Sequence, residues 1–93
     1  MSQLILGLDV CVPLRVVDQL QNRHIVCILA RHAEADEAWF ARARAAHAAA
    51  MIAHDRDIEI LCYDHRVPFV WWRPTMKVTE LLTRVTIAIA QGG

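Results

Sequence analysis

Ala50-Met51-Ile52-Ala53-His54-Asp55-Arg56-Asp57-Ile58 is the stretch that decides the fold. Its first four residues are small or apolar and read as a short buried strand, and the polar run after them reads as a turn. Asp57 is placed to start a helix whose apolar side carries Ile58, Leu61 and Cys62. A strand that ends on two acids and leads directly into a helix is one βα unit.

The same order occurs on both sides of this stretch. Gln3 to Leu8 reads as a first strand with Asp9 at its carboxyl end, followed by Pro13 in the first turn of a helix that buries Val16, Val17 and Leu20. Asn22 and Arg23 mark a turn. His24 to Leu29 reads as a second strand on its β-branched residues. A helix then begins around Asp36, where Asp36 and Glu37 suit the electropositive first turn, and packs through Trp39, Phe40 and Ala43. Val67 to Trp71 gives a fourth strand. After Arg73 and Pro74, a last helix at about 75–91 carries Val78, Leu81, Leu82, Val85 and Ile89 at helical spacing, which outweighs the alternative of a short strand at Thr86 to Ile89.

Strands alternating with helices predict a single α/β domain over residues 1–93, with a short, mostly parallel four-stranded sheet flanked by helices in three layers. Right-handed crossovers between parallel strands collect ligand groups beyond the strands' carboxyl ends. That rule puts Asp9 and the Asp55/Asp57 pair on one edge.

Composition narrows the partners. With 56% hydrophobic residues and only three glycines and three prolines in 93 residues, the chain has the apolar surface a folded core needs. Ten basic and ten acidic residues balance to a formal charge of zero, which excludes the broad basic footprint of a strongly charged nucleic-acid binder. Nine of the ten cations are arginine, a group suited to phosphate or carboxylate as well as to a solvated face. Cys11, Cys27 and Cys62 are odd in number and lack paired zinc spacing, so a reducing, cytoplasmic setting is expected. No apolar run is long enough to span a bilayer, and no membrane association is expected.

Carboxylates gathered by strand ends can hold magnesium or manganese, which activate water and stabilise phosphoryl oxygens. Two acids separated by one residue reach a common point from an irregular turn but diverge on a helix. Each acid also has a structural reading: strand end or cap for Asp9, helix start for Asp36, turn or cap for Asp55 and Asp57. Glu37 and Glu59 read as exposed helix carboxylates, and the scattered histidines give no zinc set. Cys11 lacks an evident activating base. Trp39, Phe40, Trp71 and Trp72 read as core or interface aromatics, with base stacking as the functional alternative.

The ordered pieces Leu8-Asp9, Pro13, Ala35-Asp36-Glu37, His54-Asp55-Arg56-Asp57-Ile58 and Val67-Pro68-Phe69 resemble small PIN-like proteins carrying a domain of unknown function related to toxin ribonucleases. The resemblance covers roughly residues 3–72. It implies a PIN-like fold and a magnesium- or manganese-dependent ribonuclease, of the kind found in toxin-antitoxin pairs. Asp9, Asp36, Asp55 and Asp57 would then be both metal ligands and catalytic carboxylates. Independently of the resemblance, the position of Arg56 between the paired aspartates makes it the best single phosphate candidate, with an ordinary solvated turn as the alternative. The pattern departs from the family where Val10 and Cys11 follow Asp9 in place of an acid and an asparagine. Ala53 also stands where the family has threonine, and Ile58 where it has an aromatic.

Those departures motivate a second expectation, a catalytically reduced PIN-like protein that binds RNA or a regulatory protein partner. A third is a structural homo-oligomer, expected to be a dimer, assembled through the last helix or through Trp71 and Trp72.

Overall fold

Alternation along three short strands sets the layers. The structure, a computed structural model, describes residues 3–92. Strands β1 (Ile5–Leu8), β2 (Val26–Leu29), β3 (Ala50–Ala53) and β4 (Phe69–Trp71) form one sheet in the order β2-β1-β3-β4, and every pairing is parallel. Leu6, Leu8, Ala50, Ile52 and Val70 face one core, where they meet helices α1 (Leu14–Asn22) and α4 (Val78–Gly92). Met51 and Ala53 face the other, against α2 (Asp36–Ala45) and α3 (Arg56–Asp64). The result is the three-layer α/β arrangement expected from the sequence, with a sheet that is wholly rather than mostly parallel. Apolar residues on both strand faces are what a sheet covered by helices on both sides requires.

Gly7 sits on β1 where α2 crosses the sheet on its way from β2 to β3. A Cβ on Gly7 would lie 2.5 Å from the Met51 sulfur and 3.3 Å from the Ala43 Cβ, and both of those residues are fully buried. The missing side chain therefore lets α2 approach the sheet closely.

Helices α1, α2 and α3 all end in the same way. Beyond each cap, His24, His47 and Arg66 adopt left-handed backbone with φ of 63°, 62° and 58°. Their amides donate to Gln21, Arg44 and Tyr63 at 2.9, 3.0 and 3.3 Å, and the next amides, of Ile25, Ala48 and Val67, reach back to Leu20, Ala43 and Cys62. This paired closure is the Schellman motif, and in each case the residue after the turn packs in the same core cluster as the carbonyl it caps.

The closures also correct the expected strand starts. Ile25 and Val67 are taken up in helix termination, so β2 begins at Val26 and β4 at Phe69, not at His24 and Val67. β1 likewise starts at Ile5 rather than Gln3. Pro13 lies just outside α1 as its extended cap residue, where its missing amide costs nothing.

The last helix begins at Val78, three residues later than expected, and residues 86–89 are helical. Val78, Leu81 and Val85 fill the protein's own core, whereas Ile89 is 39% exposed. Of the two adjacent tryptophans, Trp72 is buried and Trp71 is 38% exposed. No helix among the described residues is long and apolar enough to cross a membrane.

Candidate metal centre

The strand order places a switch point between β1 and β3. The chain leaves β1 toward α1 on one face and leaves the neighbouring β3 toward α3 on the other, which opens a crevice at their carboxyl ends. Asp9 follows β1 and Asp55 follows β3. Asp36 enters from a third element as the first residue of α2.

Asp55 is the N-cap of α3, with extended backbone at φ −148° and ψ 126°, and its Oδ1 accepts the Asp57 amide at 2.7 Å. Asp57 lies in the first turn, so the pair straddles the junction between strand end and helix. That junction solves the spacing problem: a two-residue separation within a helix would turn the carboxylates apart, whereas a cap residue and a first-turn residue converge. Helix α3 accordingly starts at Arg56, one residue before the expected Asp57.

One carboxylate oxygen each from Asp36, Asp55 and Asp57 lies within 4.8 Å of the others. Asp36 and Asp55 are half-buried and Asp57 is exposed. Asp9 stands outside this trio, with its Oδ1 accepting the Val10 amide at 2.8 Å. Its charge still reaches the site, because the Asp36 carboxyl is pushed above its ordinary value by desolvation first, then by the negative charges of Asp55, Asp9, Glu37 and Asp57. Among the described residues, the ion pairs are Arg42–Glu34 and Arg84–Glu80, so no cationic side chain neutralises the cluster. Arg56 is exposed between the two aspartates and joins neither in an ion pair.

This donor set could hold a metal ion. Oxygen-only ligation suits hard divalent cations, and magnesium–oxygen bonds of about 2.1 Å put opposing ligands roughly 4.2 Å apart. Adjacent ligands on such an ion are about 3.0 Å apart, and the three carboxylate oxygens lie within 4.8 Å of one another. The second oxygen of Asp55 remains available while the first caps α3.

The neighbours of the cluster have other employment. His54 donates from Nδ1 to the Trp72 carbonyl at 2.9 Å and packs edge-on against Trp71, which leaves Nε2 as its open nitrogen. Although Cys11 as a residue is exposed, desolvation of its sulfur raises the thiol pKa, and the charges of Asp9 and Asp55 act in the same direction, against a lowering hydrogen bond from the His54 backbone. A raised pKa opposes the thiolate a nucleophile needs. Trp71 donates to Glu59 Oε2 at 2.9 Å, tying β4 to α3.

Sequence reasoning missed the ion pair that ties down the connection leading into Asp36. Glu34 accepts two hydrogen bonds from Arg42, at 2.9 Å from Nε and 2.7 Å from Nη2, and a third from the Arg31 amide at 3.0 Å. Arg42 also donates to the Leu29 carbonyl at 2.7 Å. The β2–α2 connection is thereby pinned to the helix it precedes, including Ala33 in left-handed backbone at φ 63°. An eight-residue separation between acid and arginine is no standard helical pair, and only the folded loop reveals it.

Chiefly the Arg42 hydrogen bonds and then the Arg31 amide hold the Glu34 carboxyl down at about 2, against an ordinary value of 4.5. A depressed folded-state value contributes stability above the unfolded pKa, and that contribution is lost as pH falls through the folded value. Melting temperatures of the wild type and Glu34→Gln should therefore differ most above about pH 4.5. The gap should shrink as pH falls toward about 2. A gap independent of pH would remove the charged pair as its cause.

In comparisons with known proteins, no family model, no curated protein and no solved structure matches the chain.

Proposed function

We propose that the protein is a magnesium- or manganese-dependent phosphodiesterase acting on RNA, with Asp36, Asp55 and Asp57 as metal ligands. The observation that carries this reading is the convergence of three uncompensated carboxylates at the sheet's switch point. A divalent ion bound there supplies positive charge for phosphoryl oxygens and acidifies a water molecule. The chain's own contribution is to fix the three oxygens from two helix starts and to leave Asp57 open to solvent. Asp9 adds negative charge at the rim, and Arg56 is placed to meet a phosphate. The resemblance to PIN-like ribonucleases points to the same chemistry and to RNA as substrate.

The position of Asp9 outside the trio favours a second reading, a PIN-like protein with reduced catalysis that binds RNA or a regulatory protein partner. Incubation of the purified protein with labelled single-stranded and hairpin RNAs separates the two. Cleavage that depends on magnesium or manganese and stops with chelator is the expected result. Folded protein that binds the ion without cutting any RNA would leave only the second reading.

A further inference from the structure

Helix α1 and its C-cap residue present Arg15, Gln19 and Arg23 at four-residue intervals, and all three line one groove. At about 1.5 Å per residue this stripe is roughly 12 Å long. Thr75, Lys77 and Thr79, from the β4–α4 connection and the start of α4, face it across an open groove of about 660 Å³ with Val16, Met76 and Val78 in its floor.

Three exposed cations line this groove, and no acid does. Among the described residues, none of Arg15, Arg23 and Lys77 takes part in an ion pair or a side-chain hydrogen bond. The formal charge of the chain is zero, yet Arg15, Arg23 and Lys77 share this lining while the exposed acids of α1 and α4, Asp18 and Glu80, stay outside it. Such a groove attracts anions and repels cations. Its length exceeds a single phosphate, and Gln19, Thr75 and Thr79 add hydrogen-bonding groups of the kind that contact phosphate and sugar oxygens.

The groove lies beside the one that contains Asp9, at the rim of the carboxylate edge. Leu14 and Pro13 line a second groove that contains Asp9, and Arg15 follows them directly on the first turn of α1.

We propose that Arg15, Arg23 and Lys77 bind the phosphate backbone of a single-stranded nucleic acid, RNA in particular, away from the carboxylate cluster. The assignment deepens the phosphodiesterase reading and rests on it for the choice of RNA. Gln19 and the two threonines orient the backbone, and the apolar floor accommodates the sugar faces.

Fluorescence anisotropy with a labelled oligouridylate of about 12 nucleotides tests it, using the whole protein in chelator so that no cleavage occurs. The triple variant Arg15→Gln/Arg23→Gln/Lys77→Gln, checked for folding by circular dichroism, should bind at least about tenfold more weakly. Its log–log salt slope should be shallower by about 2, since each single-strand phosphate contact contributes roughly 0.7. Arg84→Gln, a cation outside this groove, should bind RNA as the wild type does, which separates a groove effect from a general loss of positive charge. Loss of binding in the triple variant would uphold the groove even for a protein that cuts nothing. Weaker binding of the matching oligodeoxyuridylate would support selection of RNA, and equal binding would support a phosphodiester site without sugar selection. Unchanged affinity and slope in the triple variant, or no RNA binding by the wild type, would overturn the proposal. Displacement of RNA by polyglutamate at equal charge concentration would also overturn it, assigning the groove to an acidic protein segment.

Discussion

Asp57→Asn is expected to lower metal-dependent RNA cleavage at least about tenfold, equivalent to roughly 1.4 kcal/mol of transition-state stabilisation. The substitution removes charge at nearly constant volume, and two features keep the fold out of the result. Asp57 is exposed, and its backbone amide, which donates to Asp55 Oδ1, is unaffected by the change, so the helix loses only a favourable first-turn charge of about 0.3–1 kcal/mol. Asp55→Ala makes the useful contrast, because it removes both a ligand and the α3 cap, and loss of such a cap costs about 1 kcal/mol. Titration of both variants with manganese, alongside unfolding curves, distinguishes the effects. Wild-type cleavage by folded Asp57→Asn at subsaturating metal, with unchanged metal affinity, would remove Asp57 from the chemistry.

Trp39→Ala should have the largest effect on stability, a loss of about 3–5 kcal/mol by denaturant unfolding. Trp39 is 1% exposed at the centre of the α2–α3 core, and its indole nitrogen donates to the Ile28 carbonyl at 2.9 Å. Small domains have about 5–15 kcal/mol in total, so this variant should unfold at far lower denaturant concentration. Trp39→Phe keeps most of the apolar contact but loses the hydrogen bond, with an expected cost of about 1–2 kcal/mol. The two variants together test whether α2 is held against β2 as described. Trp39 also lies one turn beyond Asp36, so a loosened α2 should weaken metal binding even in the milder variant. A cost below about 1 kcal/mol for Trp39→Ala would contradict the packing of this helix.

Local pattern made much of the fold legible. Ala50 to Ala53 is a strand with the bounds read from its four small or apolar residues. Val16, Val17 and Leu20 are the buried face of α1, as their spacing requires, and Trp39, Phe40 and Ala43 are that of α2. The strand starts were less legible, because Ile25 and Val67 have β-branched side chains yet serve the ends of helices. Histidine is enriched in left-handed backbone but remains uncommon there, and arginine is not enriched, so the turns at His24, His47 and Arg66 escape a search for glycine.

The candidate site divides along the same line. Asp55 and Asp57 are neighbours in the chain, and a turn after β3 was enough to suggest that they converge. Asp36 joins them only because α2 crosses the sheet from β2 to β3, a long-range consequence of strand order. Asp9 was expected with them at the strand ends, and the strand-end rule fixes the edge of the sheet but not the last few ångströms. The orientation of its carboxylate toward the Val10 amide is a local matter of backbone geometry.

The three helix endings at His24, His47 and Arg66 lead back into the sheet, at the edge opposite the aspartates. Left-handed backbone is costly for any residue with a Cβ, and the chain's glycines, at positions 7, 92 and 93, relieve none of these turns. The domain thus keeps an undrawn reserve of robustness at one pole and its electrostatic tension at the other. Because the two poles share no residues, the reserve can be tapped by glycine replacements without disturbing the carboxylates. Destabilising changes around the carboxylates can thus be offset by remote repairs at the opposite pole.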